Sequence, residues 1–238
     1  MIRRVASQKR YLAASPRRES YLLFSYGDYF EPDNVRWGGL RFFNDDLLYP
    51  GGSFPLHYHD EIEVVTLLLT GELRQRQEGQ PSIRLRSGTV QVLSAGTGIR
   101  HEEINEFAEQ VHLLQMGIFP RERGRVPSHV EGAPWQRPFN ELVAIASGQG
   151  KQQAVPMNAD ATVYIGSLDA YRMIDCPMMP DRSAFVYVTH GALTINGISF
   201  EVGDQARIAK ESEFMIGAIS HAEFVLADVP TLGQVARE

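Results

Sequence analysis

The chain has 238 residues, of which 43% are hydrophobic and 22% charged, and its formal net charge is −6. This balance is ordinary for a globular protein and excludes the strongly basic classes that bind nucleic acid or anionic membranes. No apolar run is long enough to span a membrane. The single cysteine excludes an internal disulfide and predicts a reducing, cytoplasmic location.

The N-terminal stretch is locally basic. Six Lys and Arg residues precede the first acid, Glu19. No apolar segment or small-residue cleavage site follows them, so we expect a solvated arm rather than a signal peptide.

Short β-rich runs between turn residues dominate the rest of the chain. In order they are LRFF, EVVTLLLTGELRQRQ, SIRLRSGTVQVLSAG, QVHLLQMGIF, AFVYVTHGALTINGISFEVGDQARI and EFVLADV. No long segment has helical periodicity. The pattern predicts an all-β sandwich or barrel fold with few short helices.

The two halves of the chain echo each other. VVTLLLTGELRQRQ with LRSGTVQVLSAG has the same order of apolar strand, glycine turn and amphipathic strand as FVYVTHGALTIN with FEVGDQARIAK. A connection rich in Gly, Pro, Arg and Gln separates them between Pro120 and Gly150. We therefore predict two tandem β-barrels, residues 1–135 and 136–238. Cys176, beside PMMP, is expected to be a packing residue.

The stretch HYHDEIE places four polar side chains on alternate positions: His57, His59, Glu61 and Glu63. In an extended segment this spacing directs all four to one face. If that face is buried, the cluster needs a partner, and a metal ion is the first candidate.

A second pair, His101 and Glu103, lies in SAGTGIRHEEIN with the same spacing. Two such pairs on facing strands of one barrel would bring three imidazoles and one carboxylate together. This donor set suits a divalent first-row transition metal and leaves coordination positions open for water, substrate or O2. A closed structural zinc site would more often use several cysteines. Glu102, one position off that face, is expected to point away.

Residues 51–71 and 88–105 resemble the two sequence motifs of the cupin superfamily. The first has Gly51, His57-x-His59 and Glu63, and the second has Gly88, Gly96, His101 and Asn105. Ser94 stands where cupins usually have proline, and the loop from Gly96 to His101 is longer than in most cupins.

RFFNDDLLYPGGSFPLHYHDEIEVVTLLLTGEL and VQVLSAGTGIRHEEIN resemble the hallmark segments of the pirin family within the cupins. LFSYGDYFEPDN, GKQQ and LADVP are similar to segments of its shorter bacterial members. The resemblance implies a bicupin whose N-terminal barrel binds the metal through His57, His59, His101 and Glu103.

The resemblance leaves the role of Glu63 open, because ordinary cupins have a carboxylate ligand at this position. Glu63 could orient a histidine ligand, act as a base near the metal, or lie with Glu61 past a bulge in solvent.

The remaining histidines are expected to have no metal role: His112 in the core, His129 in the connection, and His190 and His221 elsewhere. Pro177 and Met179 correspond to His57 and His59 in the second half. The C-terminal barrel is therefore predicted to hold no metal and to cover an edge of the first.

Pirin-like proteins of this type are similar to quercetin 2,3-dioxygenases, which open a flavonol ring with O2. The resemblance implies a small aromatic substrate, with Glu63 or Glu103 as the catalytic base. Fe(II) is the expected metal, with Ni, Mn, Cu, Co and Zn as alternatives. Two other functions stay open: a metal or redox sensor acting through a protein partner, and a metal-dependent isomerase or hydrolase.

Overall fold

The computed structural model describes residues 1–132, 135 and 138–232, and strands dominate it. Among these residues the helical elements are two single 3-10 turns, Ser7–Lys9 and Pro32–Asn34. The predicted all-β class with few short helices is confirmed.

Residues 1–132 contain twelve strands. They are β1 (Ile2–Val5), β2 (Tyr11–Ser15), β3 (Arg18–Leu22), β4 (Leu40–Leu48), β5 (Ser53–His59), β6 (Glu63–Thr70), β7 (Glu72–Gln77), β8 (Ile83–Arg86), β9 (Val90–Ser94), β10 (Ile99–Ile104), β11 (Val111–Ile118) and β12 (Ser128–Glu131). Strands β2 to β12 form a seven-stranded sheet in the order β12-β9-β6-β11-β4-β3-β2 and a four-stranded sheet in the order β5-β10-β7-β8.

The second half repeats this arrangement. Its strands are β13 (Glu141–Ser147), β14 (Val155–Pro156), β15 (Thr162–Leu168), β16 (Met173–Pro177), β17 (Arg182–His190), β18 (Ala192–Ile195), β19 (Ile198–Glu201), β20 (Gln205–Ala209), β21 (Glu213–Ala218) and β22 (Ala222–Pro230). The sheets have the orders β1-β20-β17-β22-β15-β13-β14 and β16-β21-β18-β19.

The basic N-terminal stretch is not the solvated arm that the sequence predicts. Strand β1 pairs with β20 of the second half, with Ile2 opposite Ile208, and Arg4 forms an ion pair with buried Asp204 at 2.6 Å. Strands β2 and β3 extend the sheet of the first half. Local composition could not reveal these pairings, because the partners of β1 lie about 200 residues away in the chain.

A shared apolar core joins the two halves between their seven-stranded sheets. Phe43, Val65 and Leu114 contribute to it from the first half, and Phe185 and Val225 from the second. The rings of Phe43 and Phe185 pack with their centroids 5.2 Å apart. Burial of such side chains drives the halves together.

The interior of the first barrel is apolar at both ends and polar in the middle. Successive inward residues of β4 show this order: Phe42 belongs to one apolar cluster, Asn44 and Asp46 are buried polar residues, and Leu48 belongs to a second apolar cluster. The alternation of a strand brings these four side chains to one face. The polar middle is where the candidate site lies.

The predicted division of the chain after residue 135 falls beside residue 136, which lies outside the described residues. Cys176 is buried in the apolar core of the second half, as a packing residue should be. In the described part of the chain, no helix has the length and apolar character needed to cross a membrane.

Candidate metal centre

Strands β5 and β10 bring the predicted histidines together. In their antiparallel register His101 lies directly opposite His57, and Ile99 opposite His59. His57 and His59 are two residues apart on β5 and share a face. The three imidazoles therefore converge at one end of the barrel's polar middle.

Ring nitrogens of the three histidines all lie within 4.8 Å of one another. The ring centroids are 4.3 Å apart for His57 and His101, 4.8 Å for His57 and His59, and 5.2 Å for His59 and His101. Three imidazoles so close together are a recognised donor set for a transition-metal ion.

The environment favours neutral imidazole, which is the form that binds metal. Burial, followed by the neighbouring His57, lowers the pKa of His59 to about 4. Burial, with His57 and His59 beside it, lowers the pKa of His101 to about 3. Burial also lowers the pKa of His57. At neutral pH all three rings carry a free lone pair.

The hydrogen bonds of these rings fit a metal ligand set. Nδ1 of His57 lies 2.9 Å from the carbonyl oxygen of Pro55, so Nδ1–H donates and Nε2 is left with the lone pair. His101 is 1% exposed, and neither of its ring nitrogens has a hydrogen-bond partner in the part of the chain that the structure describes. An unpaired buried imidazole is unfavourable, and coordination of a cation would satisfy it.

Glu103, the predicted fourth ligand, lies two residues after His101 and is 1% exposed. A bulge between the two shifts the register, so that Glu103 faces Phe54 of β5. Its carboxylate is outside the group formed by the three histidines. Burial raises its pKa to about 7 against the lowering effect of Gln115. Its role as a ligand stays a prediction.

Gln115 on β11 holds this carboxylate from the opposite sheet. Its Nε2 lies 2.9 and 3.0 Å from the two oxygens of Glu103, and both side chains are buried. Sequence analysis did not single out Gln115. The sequence shows only a polar residue within the apolar run QVHLLQMGIF. Its role as a partner of Glu103 depends on which strand of the opposite sheet it faces, and the local sequence does not give that.

The four alternating polar residues of HYHDEIE do not share one face. Strand β5 ends at His59, Glu61 has a left-handed backbone with φ +47°, and β6 begins at Glu63. The turn breaks the alternation, so the two glutamates leave the face of the histidines.

Both glutamates bind elements outside the barrel interior. The carboxylate of Glu61 accepts a hydrogen bond from the backbone N–H of Gly124 at 2.9 Å. Glu63 is buried, but it accepts from the Ser94 hydroxyl at 2.6 Å and from the backbone N–H of Asn158 at 3.1 Å. Burial raises the pKa of Glu63 despite these donors. The structure thus does not bring Glu63 to the histidines, and its catalytic role stays a prediction.

The structure also tests the predicted orientation of Glu102 and the predicted burial of His112. Glu102 points outwards and accepts from Arg76 at 2.9 Å, as its off-face position predicts. His112 is not a core residue: its side chain is 31% exposed, and Nε2 lies 2.7 Å from a carboxylate oxygen of Asp45. The apolar residues around His112 in the sequence suggested a core position, whereas the side chain lies at the boundary between the two halves.

In the second half, β16 occupies the sheet position that β5 has in the first. Pro177 and Met179 are exposed there. The other histidines of this half, His190 and His221, lie with their ring centroids 5.9 Å apart on its surface. His129 is exposed on β12.

Comparison with known proteins identifies the family. Residues 5–118 match the family model named Pirin, and residues 144–229 match the model described as the quercetinase C-terminal cupin domain. A pirin-like protein of Caulobacter vibrioides is 34% identical over 213 residues, covering 86% of this chain and 89% of that protein. A quercetin 2,3-dioxygenase of Escherichia coli K12 is 29% identical over 216 residues, covering 89% and 91%.

The fold comparison agrees. The crystal structure of the bacterial pirin YhhW from Escherichia coli in complex with nickel(II) superposes with a TM-score of 0.92 at 28% identity, covering 98% of this chain and 100% of that one. The predicted tandem cupin architecture is confirmed. On its sequence matches and its fold, this chain belongs to the pirin family.

Proposed function

We propose that this protein is a metal-dependent dioxygenase of the quercetin 2,3-dioxygenase type, acting on a flavonol-like aromatic substrate with O2. The observation that carries the proposal is the group of three neutral imidazoles, one of which is buried and has no hydrogen-bond partner among the described residues. Relatives named for quercetin 2,3-dioxygenase activity supply the substrate class.

The metal ligands of the proposal are His57, His59, His101 and Glu103, with one ion per chain in the first half. A bound divalent ion supplies Lewis acidity and redox chemistry. Fe(II) is the proposed ion, and nickel is the leading alternative because it is named for the bacterial pirin. Following the domain prediction, residues 136–238 hold no metal.

Glu103 is the proposed proton acceptor. Burial raises the pKa of this carboxylate in the metal-free protein, which favours its taking the proton of a flavonol hydroxyl. The Gln115 amide fixes the orientation of the carboxylate. Its position in the barrel interior keeps bulk water from competing for that proton.

An apolar wall stands beside the histidines for the aromatic rings. Phe42, Ile62 and Ile99 form a buried cluster, and Tyr26 packs on Phe42 with ring centroids 4.7 Å apart. Ile99 is two residues before His101 on β10, so this cluster adjoins the imidazoles. The proposal places the flat apolar substrate against this cluster, with the polar groups orienting it.

A second candidate is a metal or redox sensor that acts through a protein partner. It is favoured by the apolar side chains of Leu56 and Tyr58, which alternate with the histidines on β5 and are 55% and 53% exposed. A partner that contacts this outer face would lie against the strand that carries two of the ligands. For either function, the single buried cysteine fits the reducing cytoplasm, which we propose as the location.

Oxygen uptake with quercetin separates the two candidates. Protein stripped with a chelator should consume no O2, and reloading with Fe(II), or with one of the alternative ions, should restore uptake. His101→Ala should abolish uptake and metal content together, whereas the matched surface variant His190→Ala should retain both. If flavonols give no metal-dependent uptake with any of these ions, the dioxygenase proposal fails and the sensor is favoured.

A further inference from the structure

The polar middle of the first barrel extends well beyond the histidines. On the seven-stranded sheet, the register places Asn44, Gln115, Thr66 and Gln91 in one row across β4, β11, β6 and β9. All four side chains are buried. The row spans four adjacent strands of the seven-stranded sheet.

Asp46 belongs to the next row of the same sheet. It lies opposite Ser20 of β3, and it is two residues from Asn44 on the same face of β4. Asp46 is 0% exposed and Ser20 is 4% exposed. Glu103 approaches this layer from the other sheet through its bonds to Gln115.

The protein does not satisfy the hydrogen-bonding groups of this layer by itself. Among the described residues, both carboxylate oxygens of Asp46 lack a hydrogen-bond partner, as do the Ser20 hydroxyl, Oδ1 of Asn44, Oε1 of Gln75 and Nε2 of Gln91. A buried polar group without a hydrogen-bond partner is unfavourable, because it has lost its bonds to water and gained none in return. Native proteins avoid that penalty by binding ordered water at such points.

The apolar clusters above and below close this layer. The cluster around Phe42 and Ile62 lies at the end nearer His101, and the cluster around Leu48, Leu73 and Val111 lies at the other end. Water bound between them would be ordered and shielded from bulk exchange. It could therefore relay hydrogen bonds between fixed side chains.

We propose that this layer binds a short chain of ordered water molecules joining Asp46 to Glu103, and that Asp46 stays a neutral carboxylic acid which donates its O–H into that chain. Asp46 is then a positioning residue. It orients the carboxylate of Glu103 through water, and its neutrality keeps a second negative charge away from the metal centre.

The surroundings of Asp46 support its neutral state. Burial raises the pKa of Asp46 to about 8, helped by the negative charges of Asp45 and Glu103. Ser20 and Arg18 act in the lowering direction, although the Ser20 hydroxyl is not in hydrogen-bonding geometry. A buried ionised carboxylate without a partner would be strongly unfavourable.

One further ionisable side chain faces this region. Burial, followed by the charges of Asp46 and Glu103, raises the pKa of Tyr26 to about 12. Tyr26 therefore stays a neutral phenol throughout the range in which Asp46 would ionise. Asp45 leaves β4 on the opposite face, where it binds His112, Tyr187 and Arg10.

Infrared difference spectroscopy of the metal-loaded protein tests the protonation state directly. The wild type at neutral pH should show the C=O stretch of a protonated carboxylic acid, and Asp46→Asn should lose that band. Asp45→Asn is the matched control and should retain it. Absence of the band from the wild type, or its persistence in Asp46→Asn, would overturn the proposal.

Two further measurements cover the water chain and the positioning role. A high-resolution crystal structure of the metal-loaded protein should show ordered water on Asp46, and a dry layer there would refute the chain. Metal affinity of the wild type should change as the pH rises through about 8, when Asp46 ionises, and this step should be missing in Asp46→Asn. Neither measurement requires dioxygenase activity, so their outcome is independent of the proposed reaction.

Discussion

Replacing Gln115 with leucine should weaken metal binding without unfolding the barrel. The Gln115 amide is the side-chain donor that contacts both oxygens of the buried Glu103 carboxylate, at 2.9 and 3.0 Å. A hydrogen bond to a charged group contributes about 1.5–3 kcal/mol. Loss of a group that orients a metal ligand typically lowers affinity roughly 10- to 100-fold, about 1.4–2.8 kcal/mol. The two magnitudes agree.

The sign of the pH effect follows from the same contact. Burial holds the pKa of Glu103 at about 7, and Gln115 acts against that increase. Without the amide the pKa rises further, so that protons compete with the metal for the carboxylate at neutral pH. The loss of affinity in Gln115→Leu should therefore be greatest on the acid side of neutral and shrink as the pH rises.

Calorimetric titration of the stripped protein with nickel, repeated across neutral pH, measures this effect. Gln91→Leu is the matched control, because Gln91 lies in the same row of the barrel and its Nε2 has no hydrogen-bond partner among the described residues. The control should bind nickel like the wild type. Equal affinity of Gln115→Leu and Gln91→Leu at every pH would refute the reasoning.

Three other predictions concern the histidines, Glu63 and Cys176. The double variant His57→Ala/His101→Ala should bind no metal when assayed by elemental analysis, and unchanged metal content would exclude this site. Glu63→Gln should keep its metal and lose about 1–3 kcal/mol of unfolding free energy in urea melts, because a charged acceptor for Asn158 is lost. A rate loss of roughly 100-fold with unchanged stability would instead support the predicted base. Burial raises the pKa of Cys176 to about 12. At mildly alkaline pH the thiol of the folded protein should therefore resist alkylation, whereas that of the unfolded protein should react. Rapid alkylation of the folded protein would contradict this prediction.

The pair His57 and His59 could be predicted from the sequence because its determinants are local. A period of two within His57-x-His59 fixes one pair on one face of a strand, whatever the strand pairs with. That His101 lies opposite His57 depended on a register between distant strands, which the cupin motifs supplied by resemblance. The spacing of the histidines and the resemblance to the cupin motifs therefore predicted the same group.

The failures share a physical cause as well. The segment Asp60-Glu61-Ile62 contains no glycine, the residue that most often marks a left-handed backbone. Glu61 nevertheless adopts that conformation and turns the chain out of strand β5. The spacing of two therefore predicted one shared face for the histidines and glutamates, although a turn that the sequence pattern does not mark separates them. Gln115 and Asp46 were missed because a polar residue in an apolar strand acquires meaning only from the opposite sheet.

Glu61 and Glu63, which do not share a face with the histidines, connect the candidate metal centre to other parts of the chain, including the second half. Glu63 begins the strand that follows the two histidines of β5, and it accepts a hydrogen bond from the backbone N–H of Asn158 in the second half. The Asn158 side chain in turn donates to the carbonyl of Glu122 at 2.7 Å, close to Gly124, which binds Glu61. The turn after His59 is thus held from two sides by segments that lie beyond the first barrel's own strands. Since a metal site requires its ligands to be fixed in place, these contacts give the second half a part in holding the turn beside the three-histidine group.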